Sequence, residues 1–228
     1  MYDWDWAGAE FEFKRAIELN PNSSIAHELY AKCLGDWGRF DESIPGMRRA
    51  LELDPFSVGI NKEVGETLFY ARRIDEAIAQ WQKTLALEPN YSTAHSWLAR
   101  AYWAKGLYDQ AIDEYLKQQS ARGATPERIG ELKTLSAKYG WKGFWQYELE
   151  QSKERAKQGQ YHEPYFFVLL YLRLGEKEQA LEWLETAYES RSSWILTIRN
   201  DPLLDSLRAE PRFQELQRRV GFPPQSGS

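Results

Sequence analysis

The 228-residue sequence holds one cysteine, Cys33, along with two methionines and three histidines. A single thiol excludes an intramolecular disulfide, and the scarcity of Cys and His leaves no pair at zinc-ligand spacing. No apolar run is long enough to span a bilayer or to act as a secretion signal. A basic track is missing as well: 29 Lys and Arg are interleaved with 34 Asp and Glu, for a net charge of −5. A charge distribution of that kind cannot follow a phosphate backbone. There is no glycine-rich phosphate loop and no Ser in a nucleophile-elbow setting. These absences predict a cytoplasmic protein without cofactor or metal and without catalytic residues, one that touches neither nucleic acid nor membrane directly.

The chain is rich in apolar side chains and in period. Hydrophobic residues make up 43% of the sequence and aromatics 14%, which is ample for a core. Pro21, Pro55 and Pro89 are spaced by 34 residues within the similar phrases AIELNPN, ALELDPF and LALEPNY. The same step relates Ala9, Ser43, Ala77 and Ala111, then Phe13, Met47, Trp81 and Tyr115, then Asp41, Asp75 and Asp109. Several columns in one register identify a repeat. Each unit splits into two amphipathic helical patterns, as in SSIAHELYAKCLGDWG followed by RFDESIPGMRRALELDP. Small residues at 43, 77 and 111 allow close helix approach, and the bulky residue four positions on fills the space beside it. Gly38 and Gly106 permit the turn between helices, and Asp41, Asp75 and Asp109 are expected to cap the second ones. Pro45 and Gly46 should weaken the first turn of their helix, and Arg72 stands where the other units have Gly.

The small residue, the aromatic four further on and the terminal proline resemble the tetratricopeptide repeat. The resemblance implies an all-α fold, a right-handed superhelical solenoid of stacked antiparallel helix pairs. The expected division is a half repeat over 1–21, full repeats over 22–55, 56–89 and 90–123, and a divergent helical pair over 124–159. A repeat-like pair follows over 160–192, then short capping helices and a tail over 193–228. In the divergent pair Pro126 starts a helix, Gly140 separates two, and Trp145 replaces a small residue, so this pair should pack differently. Asp201 with Pro202 and Glu210 with Pro211 begin the last helices, whose charged faces should cover the end of the stack. With EKEQALEWLETAYESRSSW, this ending resembles the C-terminal repeat region of large bacterial regulatory proteins, of the winged-helix or serine/threonine kinase type.

Catalytic readings are weak. His27 and His95 hold the same place in two units, which favours an architectural role. Asp41 with Glu42 and Asp75 with Glu76 sit at helix starts, where dipole effects account for them. Cys33 lies on an apolar helix and reads as a small core residue. In repeats of this kind the first helices line a concave groove. By that register the inward residues are Glu28, Lys32, Lys62, Glu66, Phe69, Tyr70, Ser96, Arg100 and Trp103. Glu28 with Lys32 and Lys62 with Glu66 are one turn apart, while Phe69 and Trp103 share a column beside Arg100 that could hold a peptide. Relatives that grip a chaperone's C-terminal carboxylate present Lys and Asn where this chain has Glu28 and Lys32, so that clamp is absent.

The expected function is a non-enzymatic scaffold that presents a concave protein- or peptide-binding surface within a larger bacterial signalling protein. The alternatives are a self-association domain and a small-molecule sensor or enzyme with a pocket between repeats. Self-association is suggested by the opening stretch MYDWDWAGAEFEFKRAIELNP. Ala9, Phe13, Ala16 and Pro21 fit the second helix of a unit whose first helix is missing, so Met1 reads as an artificial start. Trp4 and Trp6 would then form an assembly face for a homo-oligomer.

Overall fold

The structure, a computed structural model, describes residues 5–160 and 162–222. Met1 and Trp4, named above, lie outside them. Among the described residues there are helices and turns but no strands. Helix α1 (Trp6–Leu19) is followed by three antiparallel pairs: α2 (Ser24–Asp36) with α3 (Phe40–Leu53), α4 (Val58–Tyr70) with α5 (Ile74–Leu87), and α6 (Ser92–Ala104) with α7 (Tyr108–Ala121). The long α8 (Pro126–Lys157) comes next, then the pair α9 (Pro164–Leu174) and α10 (Lys177–Glu189). Two 3₁₀ turns, Ser193–Thr197 and Pro202–Leu207, lead into α11 (Pro211–Val220). Helix α2 packs on α4 and α4 on α6, so the first helices of successive pairs form the inner wall of an α–α solenoid.

Local chemistry sets the helix ends. Asp5 accepts from the Gly8 amide at 2.8 Å, Ser23 from Ala26 at 3.2 Å and Ser57 from Ile60 at 3.2 Å. The second helices are built otherwise, which corrects the expected aspartate caps. The N-cap positions of α3, α5 and α7 are Arg39, Arg73 and Leu107, none with a side-chain cap bond. Asp41, Asp75 and Asp109 fall one residue inside the first turn, where their charge faces the positive end of the dipole. Gly38 and Gly106 turn the chain with φ of 80° and 73°, and Arg72 adopts φ 66° at the equivalent position despite its side chain. Left-handed backbone is costly for such a residue and requires a tertiary partner to hold it.

The 34-residue columns are packing contacts. Ser43, Ala77 and Ala111 are buried against the first helices, and Ser43 Oγ donates to the Ala31 carbonyl at 2.6 Å. Helix α3 continues through Pro45, and at Gly46 an added Cβ would stand 3.1 Å from that of Ala31. Trp81 lies across Gly65 and donates its indole N–H to the Lys62 carbonyl at 3.1 Å. A column that the repeat analysis only half resolved joins the units. His27, Asn61 and His95 reach back to the carbonyls of Pro21, Pro55 and Pro89, at 2.9, 3.0 and 3.2 Å. The two histidines are therefore architectural, and Asn61 does the same work between them.

Beyond α7 the geometry changes. Helix α8 starts on a Thr125 cap with Pro126 in its first turn and breaks at Gly140, where φ 64° and ψ −174° separate two helical arms. Fully buried Trp145, on the second arm, fills a space shared with Tyr115 and Phe144. Two apolar clusters result, one built from residues 31–101 and one from 99–220, and Trp194 and Leu203 pack against both. Helix α11 lies on α10, with Arg212 on Glu178 and Arg219 on Glu185, as a terminal cover should. The 3₁₀ segment does not cover the end of the stack. It turns back along the inner wall.

Candidate functional site

The inner wall has two parts with different occupants. Toward the N-terminus, α2 and α4 bring Lys32, Lys62, Glu63 and Glu66 together. Lys62 pairs with Glu63 at 2.5 Å and with Glu66 at 2.9 Å, and Lys32 reaches Glu63 at 3.3 Å. The expected Glu28–Lys32 pair is not formed, because Lys32 turns to the neighbouring unit. Burial pushes the carboxyl of Glu63 up, but the two lysines outweigh it and hold the group below its usual range. Burial raises Glu66 and Glu28, and the charge on Glu63 adds to both shifts. Asp36, at the end of α2, is pushed up to about 6 by burial. Beside this network, Ile25 and Leu29 of α2 are 64% and 46% exposed.

Further along, the wall is covered by the chain itself. Asp201 is fully buried, and its carboxylate accepts from Arg100 Nη2 at 2.5 Å, Tyr165 Oη at 2.7 Å and the Leu203 amide at 2.8 Å. The Arg100 guanidinium also lies 4.4 Å from the centre of the Trp97 ring and 5.2 Å from that of Trp194. Trp194 in turn stacks on Tyr165 with ring centres 5.6 Å apart. Asn200 Nδ2 donates to the Gly35 and Asp36 carbonyls at 3.1 and 3.3 Å, which anchors the segment to α2. Asp205 accepts both terminal nitrogens of Arg72, at 2.5 and 2.7 Å, and this is the partner that holds the strained turn.

These contacts revise the expected groove. Phe69 is fully buried among Tyr70, Trp81 and Trp97 and belongs to the core. Tyr70 and Arg100 are buried under the returning segment and present no free surface. Trp103 does not ladder with Phe69. It packs on Tyr108 at 4.4 Å and on Trp141 at 5.4 Å, against the second arm of α8. Lys62 and Glu66 stay on the wall inside the charge network, and half-buried Ser96 faces a cavity. Trp6 rests edge-on against Trp37 at 5.9 Å, so part of the proposed assembly face is used internally.

The cavity opens where α6 and α7 face α8 and α9, with a volume of about 500 Å³. Its lining includes Ser96, Arg100, Gln118, Arg122, Arg155 and Arg173, with Phe166 and Leu169 as apolar wall. Among the described residues no group of His, Cys, Asp and Glu is arranged to hold a metal ion. Burial pushes the Cys33 thiol up to about 11, which makes it a poor nucleophile.

Two stretches, residues 65–124 and 165–193, match family models described as tetratricopeptide repeat. The chain carries tetratricopeptide repeats. The crystal structure of PilW, a widely conserved type IV pilus biogenesis factor, is similar over 93% of this chain and 91% of that chain, at 19% identity and a TM-score of 0.58. TTC0263, a thermophilic tetratricopeptide-repeat protein of Thermus thermophilus, is similar over 87% of this chain and 90% of that chain, at 19% identity and a TM-score of 0.51. An O-GlcNAc transferase of Thermobaculum terrenum aligns with 50% of this chain and 22% of its own, at 26% identity and a TM-score of 0.46. The comparison with curated proteins found no match. The broken helix falls between the two stretches that follow the repeat pattern, and most of the cavity lining lies within them.

Proposed function

We propose that this chain is a non-enzymatic scaffold that binds a protein or peptide along the open part of its inner wall. One observation carries the reading: the same wall already holds a polypeptide, the segment 193–208. It does so with an aromatic anchor, side-chain bonds to backbone carbonyls and two arginine–carboxylate pairs. A surface shaped for an internal segment has the chemistry to hold an external one, and Ile25, Leu29 and Lys32 are the part left uncovered. A preformed wall also spares a partner much of the ordering entropy that a flexible site would lose. The non-enzymatic reading is supported by the occupations of the reactive groups, since His27 and His95 brace successive repeats and Cys33 is held protonated.

The working division has repeats over 1–123, a divergent pair over 124–159, a repeat-like pair over 160–192 and a terminal cover thereafter. We place the chain in a bacterial regulatory protein of the cytoplasm, on the likeness of its closing phrases to such proteins. No helix among the described residues is long and apolar enough to cross a membrane. Self-association through α1 is the second reading. It is favoured by Phe11 and Leu19, 66% and 71% exposed on a helix with no fully buried residue.

A photo-crosslinking side chain at position 29 tests the scaffold reading, with the outward-facing position 83 on α5 as control. Position 29 should capture a discrete partner that Ile25→Asp with Leu29→Asp fails to co-purify, at unchanged far-UV circular dichroism. Equal capture from both positions, or undiminished co-purification by the double variant, refutes it.

A further inference from the structure

Arg173 is the one charged residue in the apolar helix PYFFVLLYLRL, and it is 7% exposed. Its guanidinium carbon lies 3.9 Å from the Trp145 ring centre and 5.5 Å from that of Trp103. Stacking engages the face of the guanidinium and leaves its N–H edge to find acceptors. Among the described residues no carboxylate pairs with it, and its buried Nε has no hydrogen-bond partner. Burial, with the like charge of Arg100 behind it, pushes this guanidinium down to about 9 although Tyr115 opposes the shift. A charge left buried and unpaired is costly, and proteins keep such a group where something completes it.

The cavity that Arg173 lines supplies the setting. Arg122 and Arg155 stand on the same lining, and Gln118 adds an amide. Arg122 is exposed at the end of α7. Arg155 is partly committed, with Nε donating to the Gln151 carbonyl at 3.2 Å and Nη2 lying 3.9 Å from Glu148. Arg100 is turned to Asp201 and spoken for. The lining carboxylate Glu163 has a partner of its own. Positive charge therefore exceeds negative charge around a space large enough for a small molecule, with Phe166 and Leu169 as apolar wall.

We propose that this cavity binds a small organic oxyanion, a carboxylate or phosphate monoester with an apolar body, whose charged head pairs with the edge of Arg173. Arg122 and Gln118 would complete the head-group contacts, and the apolar body would lie on Phe166 and Leu169. Planar guanidinium groups grip both head groups in a two-point fashion. The site is separate from the open wall at Ile25 and Leu29 and does not rest on the scaffold reading.

Calorimetric titration of the full chain with phenylacetate, phenyl phosphate and neutral benzyl alcohol, at low salt, tests the proposal. One of the two anions should bind saturably at one site and benzyl alcohol should not, and the tighter anion identifies the head group. Arg173→Met keeps the apolar stem and should weaken binding by about tenfold or more, the scale of a charge-assisted two-point contact. Arg122→Glu, at an exposed position that folding does not depend on, should weaken it by about threefold or more and decides the matter if the first variant does not fold. The proposal is overturned if neither anion saturates, if benzyl alcohol binds as well, or if both variants bind as the parent does.

Discussion

Asp201→Ala removes the residue on which the returning segment depends most. Its carboxylate is fully buried and satisfies Arg100, Tyr165 and the Leu203 amide at once. Deleting one partner of a buried ion pair costs about 3–5 kcal/mol, because the other charge is left in a medium that cannot solvate it. Losing the cap of the second 3₁₀ turn adds roughly 1 kcal/mol. The expected loss is about 4–6 kcal/mol, a large share of the 5–15 kcal/mol that typically holds a domain together. A smaller loss of global stability could arise only if the segment lifts off and lets water reach Arg100. Urea unfolding by circular dichroism reads the global change, and amide hydrogen exchange over 193–208 reads the local one. The double variant Arg100→Met with Asp201→Leu replaces the ion pair by apolar groups of similar size and should recover part of the loss, the Tyr165 hydroxyl and the Leu203 amide still lacking their acceptor. The reasoning fails if Asp201→Ala costs less than about 1 kcal/mol without faster exchange in the segment, or if the double variant is as unstable as the single one.

Gly65→Ala should destabilise by about 2 kcal/mol despite the helix-favouring methyl, since the new carbon would meet Trp81 Nε1 at 2.2 Å; thermal unfolding followed by tryptophan fluorescence reads the change. Gly130→Ala, where nothing lies within 4 Å, should gain roughly 0.5–1 kcal/mol in the same assay. Asp36 titrates at about 6 in the folded protein against a reference of 3.8, so the native state holds the extra proton between those values and stability falls as pH rises through that window. Asp36→Asn should therefore gain about 3 kcal/mol at pH 7.5 and little at pH 4, measured as urea midpoints at both.

The step of 34 gave away the helix pairs because each unit meets the same neighbours and repeats the same solutions. Small residues recur where α3, α5 and α7 cross their partners, and a back-reaching side chain recurs beside each terminal proline. Periodicity set Lys62, Glu66, Tyr70 and Arg100 in one register, yet it could not tell what fills the space before them, nor that Phe69 joins the core and Trp103 packs on α8. Arg100 pairs with a residue 101 positions away and Asn200 with one 165 positions away, and neither contact repeats. The aspartate caps were misplaced for a smaller reason: a one-residue offset separates a cap from the second position of a helix, and Asp suits both.

What betrays the non-repeating contacts is departure from the repeat. Arg72 occupies a position that geometry reserves for glycine, and its left-handed backbone is held by Asp205. Trp145 replaces a small residue, and its ring is the surface on which the Arg173 guanidinium lies. Arg173 interrupts a helix that is otherwise apolar, and no acidic partner among the described residues answers it. Each departure costs stability locally, so each needs a compensating contact elsewhere. For Arg72 and Arg100 that contact is the returning segment. For Arg173 the described residues supply aromatic faces and no paired carboxylate, and the proposed oxyanion would bring the missing negative charge.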